Sequence, residues 1–411
     1  MNFAALADRY GTPLVAIDLD AFGAAIEYCN SACAPYDVEV SYAGKALLLV
    51  EIARFVAERG LGLDVCSLGE LLTAERAGFP HERITLHGCG KSDEELRAAA
   101  DGRVGRIVVD GLEELERLGR IASGRAPVNV LLRLNPGIEA HTHAFVRTGG
   151  EDTKFGVTPK DEDAARAMLG GAKELRFRGL HAHVGSQIYE PGAYVAVAEA
   201  LIQASARFAR DGLGVDEIVV GGGFGVTTHP DRPNERIDFP ATIASVDRAT
   251  RAAAARVRVP VPRIGIEPGR MLIGAAGTTI YRVCAVKRQA RRTFVVVDGG
   301  LYENPRPALY GAYHHAVAVS RPNLDLQEVT ICGRSCENDE LGRAMLPHAL
   351  REGDLVAMTV TGAYTYSMAG NYNRFARPAV VGVEQGKERL LARRESLEDV
   401  LKNDVMENAG S

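Results

Sequence analysis

Two hydrophobic rhythms divide the 411-residue chain. From residue 38 to residue 266, short apolar runs alternate with stretches whose apolar positions recur at helical spacing. The runs cover 38–43, 61–66, 84–87, 106–109, 128–134, 179–184, 217–220 and 263–266. Helical patterns over 69–77, 93–100, 112–121, 161–168, 194–209 and 241–257 separate most of them. Eight strands alternating with helices predict an α/β fold, a (β/α)8 TIM-like barrel whose loops after the strands carry the chemistry. After Pro268-Gly269-Arg270 the helical spacing stops. Segments 278–286, 293–297, 317–319, 328–332, 355–360 and 379–383 are strand-like without helices between them, which predicts an all-β second domain of sandwich or barrel type. An early strand over 12–20, followed by a helix over 21–33, lies outside the barrel count and is expected to join that second domain. The expected division is a barrel over 26–270 and an all-β domain from 1–25 plus 271–411, ending in a short charged helix around Val400.

Bulk properties narrow the class. Charged residues at 25%, a mean hydropathy of -0.06 and a net charge of -5 describe a soluble chain with no nucleic-acid footprint. No uncharged apolar stretch reaches membrane-spanning length, and residues 1–8 carry no basic leader, so neither a membrane anchor nor a signal peptide is expected. Seven scattered cysteines lack metal spacing, which predicts no metal site and fits a reducing cytoplasm.

Chemistry gathers at the predicted strand ends. The first strand ends in Ser41-Tyr42-Ala43-Gly44-Lys45. A lysine walled by Tyr42, Ala43 and Ala46 is expected to be poorly solvated, and desolvation favours the free amine that attacks a carbonyl. The alternative is a strand-end lysine reaching for water. Asp64 and Glu70 follow the second strand, His87-Gly88 the third, and Arg133 with the later Lys154-Phe155-Gly156 the fifth. The sixth ends in His181-Ala182-His183-Val184-Gly185-Ser186-Gln187, the seventh in Gly221-Gly222-Gly223-Phe224-Gly225, and the eighth in Glu267-Pro268-Gly269-Arg270. The glycine run is either a tight turn or a backbone cradle for an anion, to which Ser186 and Arg270 add a hydroxyl and a guanidinium. Its spacing does not fit a dinucleotide fingerprint. His183 either donates to a carbonyl below the barrel mouth or offers a flat face to a cofactor ring. Glu267 needs a cationic partner, either Arg270 or a protonated ring nitrogen.

With these motifs the sequence resembles the fold-type III pyridoxal-phosphate decarboxylases, from Tyr42-Ala43-Gly44-Lys45-Ala46 to Tyr372-Asn373. His141-Thr142-His143, Thr148-Gly149, Lys154-Phe155-Gly156 and Arg306-Pro307-Ala308-Leu309-Tyr310 stand in family order with the motifs above. The resemblance implies that Lys45 carries pyridoxal 5'-phosphate as a Schiff base, that His183 stacks on the ring, and that Glu267 keeps the ring nitrogen protonated. It implies phosphate contacts from Ser186, the Gly222–Gly223 backbone, Arg270 and Tyr364, with Asp64 and Glu70 beside the cofactor. Cys336 is implied to protonate the substrate carbon in a neighbouring subunit, which makes a homodimer with shared sites the expected assembly. Arg306, Tyr310, Glu337 and Arg270 match the contacts to a distal amino-acid centre, so the expected reaction converts meso-2,6-diaminopimelate to L-lysine and CO2.

Two segments depart from the family pattern. Cys336-Glu337-Asn338-Asp339 is one residue shorter than the usual Cys-Glu-Ser-x-Asp, and His87-Gly88-Cys89-Gly90-Lys91 replaces His-Gly-Asn-Asn-Lys. They motivate a second reading, a related decarboxylase of secondary metabolism acting on another or a carrier-tethered amino acid. An amino-acid racemase fits less well, because such enzymes favour a cation at the ring nitrogen where this chain has Glu267. A non-catalytic descendant fits least, since Lys45, His183, Glu267 and Cys336 are all retained.

Overall fold

The computed structural model describes residues 1–137, 153–229, 231, 235–321 and 325–405. They form two units: residues 24–227 with 232–272, and residues 1–23 with 228–231 and 273–411.

The first unit is a closed barrel of eight parallel strands, Val38–Ala43, Gly62–Val65, Ile84–Leu86, Arg106–Val109, Val128–Arg133, Leu175–His181, Glu217–Val219 and Arg263–Ile266. Pairing of Val38 with Ile264 joins the last strand to the first. Both faces of these strands are covered, so they contain apolar runs such as Ile107-Val108-Val109. Helices between them start on local signals; Asp93–Ala100 begins with a capping box in which Ser92 and Glu95 each accept the other's backbone N–H. At the N-terminal end of the barrel, Arg106 donates to Glu217 at 2.9 Å, Glu39 at 2.7 Å and Thr85 at 3.1 Å. Charge at that end is spent on closing the barrel, and the strands' C-terminal ends remain for chemistry. The sixth strand runs Leu175–His181, four residues earlier than its apolar pattern over 179–184 predicts. Its pairing with the fifth strand takes in the polar Arg176, skips Arg178 at a bulge between Phe177 and Gly179, and past His181 the chain leaves the ladder as a loop.

The second unit holds a nine-stranded mixed sheet. Strand Leu14–Asp18 lies inside it, antiparallel to Gly277–Arg288 and parallel to Ala379–Glu384. Helix Phe3–Tyr10 packs Leu6 and Ala7 against Leu14, Ile280, Val381 and their neighbours, and a second core forms around Tyr281, Val295, Ile331 and Met358. Two edge strands, Glu340–Pro347 and Lys387–Ala392, are absent from the sequence reading. Lys387-Glu388-Arg389-Leu390-Leu391-Ala392 has helix-forming composition, but a tight turn at Gln385-Gly386, both with positive φ, folds it back on Ala379–Glu384. Tertiary pairing overrides local preference there.

A buried acid in this unit carries a pH signature. Glu303 is fully buried, and its Oε1 accepts from the Tyr281 hydroxyl at 2.7 Å and the Gly300 N–H at 3.2 Å. Burial pushes its carboxyl up to about 8, so it is largely neutral at pH 7. Unfolded glutamate titrates near ~4.3, so folding takes up a proton between those values and stability falls by about 1.4 kcal/mol per pH unit as pH rises. Glu303→Gln cannot make this exchange. Its Tm should therefore fall less steeply than that of the unsubstituted protein between about pH 5 and pH 8; parallel Tm curves would refute the assignment.

Candidate active site

Among the described residues, Lys45, Asp64, His87, Arg133, His181, His183, Ser186, the Gly221–Gly223 run, Glu267 and Arg270 lie towards the C-terminal end of a strand or just after one, whereas Glu70 lies in the helix Leu68–Arg76. Lys45 is in the single helical turn Gly44–Ala46 directly after the first strand. Contrary to the expectation of a poorly solvated amine, Lys45 is exposed while Gly44 and Ala46 are buried. Lys45 lies on the turn that follows the strand and not on the strand itself, while Tyr42 is buried, its hydroxyl bonded to the Leu47 carbonyl at 2.9 Å. The positive charge of Lys45 acts on Cys66, Glu70 and His183.

His183 is tied to the glycine run. Its Nδ1 accepts the Gly222 N–H at 3.2 Å, so that nitrogen meets a backbone donor and not the carbonyl that one of the two sequence readings offered. Burial, then the cations of Lys45 and Arg133, hold its imidazole well below the usual range, so the ring is neutral at pH 7. The run itself admits no side chains. A Cβ on Gly222 would lie 1.9 Å from the Glu267 carbonyl oxygen, and one on Gly223, where φ is +85°, would lie 2.0 Å from that of Gly185. Backbone thus approaches Ser186 and Glu267 as closely as atoms allow. Arg270 is buried at the start of the short helix Arg270–Ile273.

Glu267 has two partners that the sequence reading does not offer. His181 Nε2 stands 3.2 Å from both of its carboxylate oxygens, and His87 Nε2 stands 3.3 Å from Oε1. His87 Nε2 also faces Asp64 Oδ1 at 3.5 Å. Burial opposes ionisation of Glu267, but His181 and His87 outweigh it and hold the carboxyl well below its ordinary range. Burial would lower His87, yet Glu267 and Asp64 push it up to about 9, making it a cation at pH 7. Burial takes His181 down to about 4, so it is a neutral donor. Burial, then Glu267, pushes Asp64 up to about 6. The ligating atoms of His87, His181 and Glu267 lie within 4.8 Å of one another, a spacing these ion and hydrogen-bond contacts account for. His181 was legible as the neighbour of His183 in His181-Ala182-His183, and both histidines end predicted strands.

Two more side chains frame the mouth. Arg133, last of the fifth strand, lies 4.5 Å over the Phe155 ring and 3.6 Å from Asp110. Glu70 accepts the Cys66 N–H at 2.6 Å at the start of helix Leu68–Arg76, a capping contact that accounts for an acid there. His141, Thr142, His143, Thr148 and Gly149 lie outside the described residues.

In the second unit, Arg306 is buried in helix Arg306–Tyr310, its guanidinium 5.2 Å from the Tyr310 ring and 5.7 Å from the Tyr364 ring. Cys336 and Glu337 form a separate exposed group. The Cys336 N–H donates to Asn373 at 3.2 Å, and the Tyr372 hydroxyl donates to Glu337 at 2.5 Å. The shortened segment is anchored by buried Asp339, which accepts from Ser335 at 2.7 Å and from the Leu301 N–H at 2.6 Å. Cys89, in the other departing segment, donates weakly to the Lys154 carbonyl at 3.5 Å.

The donor set fits a pyridoxal phosphate group: an accessible lysine, a neutral imidazole face, glycine backbone that excludes Cβ atoms, and an ionised buried carboxylate. Neither oxygen of Asp64 has a hydrogen-bond partner among the described residues, which leaves acceptors for a further donor.

Residues 22–274 match the family described as pyridoxal-dependent decarboxylase, pyridoxal binding domain. The chain is 45% identical over 405 residues to a diaminopimelate decarboxylase of Actinosynnema pretiosum subsp. auranticum, covering 97% of this chain and 90% of that protein. It is 40% identical to that of Bacillus subtilis, covering 97% and 93%. The crystal structure of diaminopimelate decarboxylase from Helicobacter pylori complexed with L-lysine matches with a TM-score of 0.89 at 28% identity, covering 98% of each chain.

Proposed function

The chain belongs to the pyridoxal-dependent decarboxylases, and on that premise we propose that it is a carboxy-lyase converting meso-2,6-diaminopimelate to L-lysine and CO2. The observation that carries this reading is the ionised Glu267, held by two histidines at the end of the eighth strand, in a chain 40–45% identical to diaminopimelate decarboxylases. An electron-withdrawing cofactor ring requires a proton on its nitrogen, and an anionic carboxylate retains that proton. When bound, pyridoxal phosphate supplies the sink for the electron pair left as the α-carboxylate departs.

The chain's own groups do the rest. Lys45 offers the amine for covalent attachment, and His183 offers an uncharged ring face. Ser186, the Gly222–Gly223 backbone and Arg270 hold the phosphate, with Asp64 beside the ring. Arg306 and Tyr310 take the distal carboxylate, and Glu337 the distal ammonium. Cys336 acts in trans, its thiol delivering a proton to the substrate carbon in a second copy of the chain, so the working form is a homodimer. The second domain, 1–25 with 271–411, supplies Arg306, Tyr310, Glu337 and Cys336 and the dimer contacts. Among the described residues no helix is long and apolar enough to cross a membrane, and the cysteines are all free, which supports a cytoplasmic enzyme.

Purified protein loaded with pyridoxal phosphate should release CO2 from meso-diaminopimelate with a kcat/KM on the order of 10³-fold or more above lysine, ornithine, arginine or glutamate, because a site built to bind the distal centre rejects substrates lacking it. CO2 release from another member of the panel, and not from diaminopimelate, would overturn the substrate. Production of the opposite enantiomer without CO2 would make it a racemase.

A further inference from the structure

Four ionisable groups from four strands meet at one point: Asp64 in the second, His87 after the third, His181 ending the sixth and Glu267 after the eighth. Two of them are carboxylates, whose ionisation in a buried place needs compensation. The histidines stand where that compensation acts. His181 is 1% exposed and its Nε2 is equidistant from both oxygens of Glu267, so one N–H is shared between them. His87 places its Nε2 between Glu267 and Asp64 and is held there by its own backbone, whose N–H donates to the Val65 carbonyl at 2.7 Å. Glu267 keeps 13% of its side chain accessible, against 10% for His87, 7% for Asp64 and 1% for His181. The carboxylate is thus contacted by both histidines while remaining the most accessible of the four groups.

We propose that His181 and His87 are positioning residues for Glu267, together keeping it ionised so that it holds a proton on the ring nitrogen of bound pyridoxal phosphate. This rests on the reading above that the barrel binds that cofactor. Without the pair, burial raises the proton affinity of Glu267. The proton then resides on the carboxyl, which donates a hydrogen bond to an unprotonated ring nitrogen. No proton is gained or lost by the site; it moves from one side of the hydrogen bond to the other. Asp64 supports the arrangement from the far side of His87, and the other cations acting on this cluster are Arg106 on Asp64 and Arg133 on His181.

The test is ring-15N NMR of labelled pyridoxal phosphate bound to the full chain, with cofactor affinity measured separately by fluorescence titration. Unsubstituted protein at neutral pH should show the ring nitrogen in the pyridinium range. His87→Leu/His181→Phe should move it to the unprotonated range, and His181→Asn, which keeps a donor, should return it towards pyridinium. If the double variant does not fold, His181→Leu alone carries the test with the same expected shift. A ring nitrogen that stays pyridinium in a folded, cofactor-bound variant lacking the donor overturns the proposal, even if affinity or Tm falls, because a merely structural role would leave the proton in place. An unprotonated nitrogen in the unsubstituted protein overturns it as well. If the unsubstituted protein binds no pyridoxal phosphate, the functional reading itself falls and takes this inference with it.

Discussion

Lys45→Ala protein is expected to lose decarboxylation by on the order of 10⁴-fold or more, the scale on which removing a covalent nucleophile acts. Lys45 stands on a one-turn helix between buried Gly44 and Ala46, with its side chain exposed, so truncation removes the amine without opening a cavity in the core. The fold should therefore survive, and the effect should be chemical. Borohydride treatment of the unsubstituted protein should fix the cofactor to the peptide containing Lys45. The same treatment of Lys45→Ala should fix none, and its yellow colour should leave on dialysis. Turnover that persists in Lys45→Ala would remove the basis of the functional assignment.

Lys91→Met should be the most destabilising single change near the site, at about 3–5 kcal/mol, the cost of stripping one partner from a buried ion pair. Lys91 is 2% exposed, and its ammonium donates to Glu114 at 2.7 Å, to the Gly88 carbonyl at 2.8 Å and to the Val108 carbonyl at 2.5 Å. Methionine fills the volume but leaves the Glu114 carboxylate buried without its cation. Urea unfolding should show the loss, and Lys91→Met/Glu114→Gln should recover a large share of it by removing the stranded charge. A Lys91→Met protein within about 1 kcal/mol of the unsubstituted one would mean that the pair contributes no more than a surface contact. Because Lys91 braces the loop that carries His87, activity should fall as well.

Most of the barrel is visible in sequence because buried parallel strands leave short, apolar-rich segments between helical patterns. The patterns at 38–43, 106–109 and 263–266 coincide with Val38–Ala43, Arg106–Val109 and Arg263–Ile266. Edge strands are harder to see. Glu340–Pro347 contains Gly342, Arg343 and Ala344 and is half exposed, so neither period nor propensity marks it. Within the site, residue types and strand-end positions were legible, but partnerships were not. Sequence offered Arg270 or a ring nitrogen to Glu267; the fold also brings His87 and His181, from strands separated by 180 and 86 positions in the chain, onto its carboxylate. Solvation of Lys45 was misjudged because neighbours in sequence stood in for neighbours in space, and one helical turn separates the two.

Placement of Leu14–Asp18 between Gly277–Arg288 and Ala379–Glu384 sets an order of events during synthesis. Segments 14–18 leave the ribosome early, yet both flanking strands are among the later ones to appear. At roughly 5–20 residues per second, the wait is on the order of tens of seconds, long enough for the barrel segment to emerge complete in the interval. Until then Leu14-Val15-Ala16-Ile17 is an apolar strand with two bare edges, the kind of segment chaperones retain and aggregates recruit. Truncation near the C-terminus should therefore leave a defect at the opposite end of the chain.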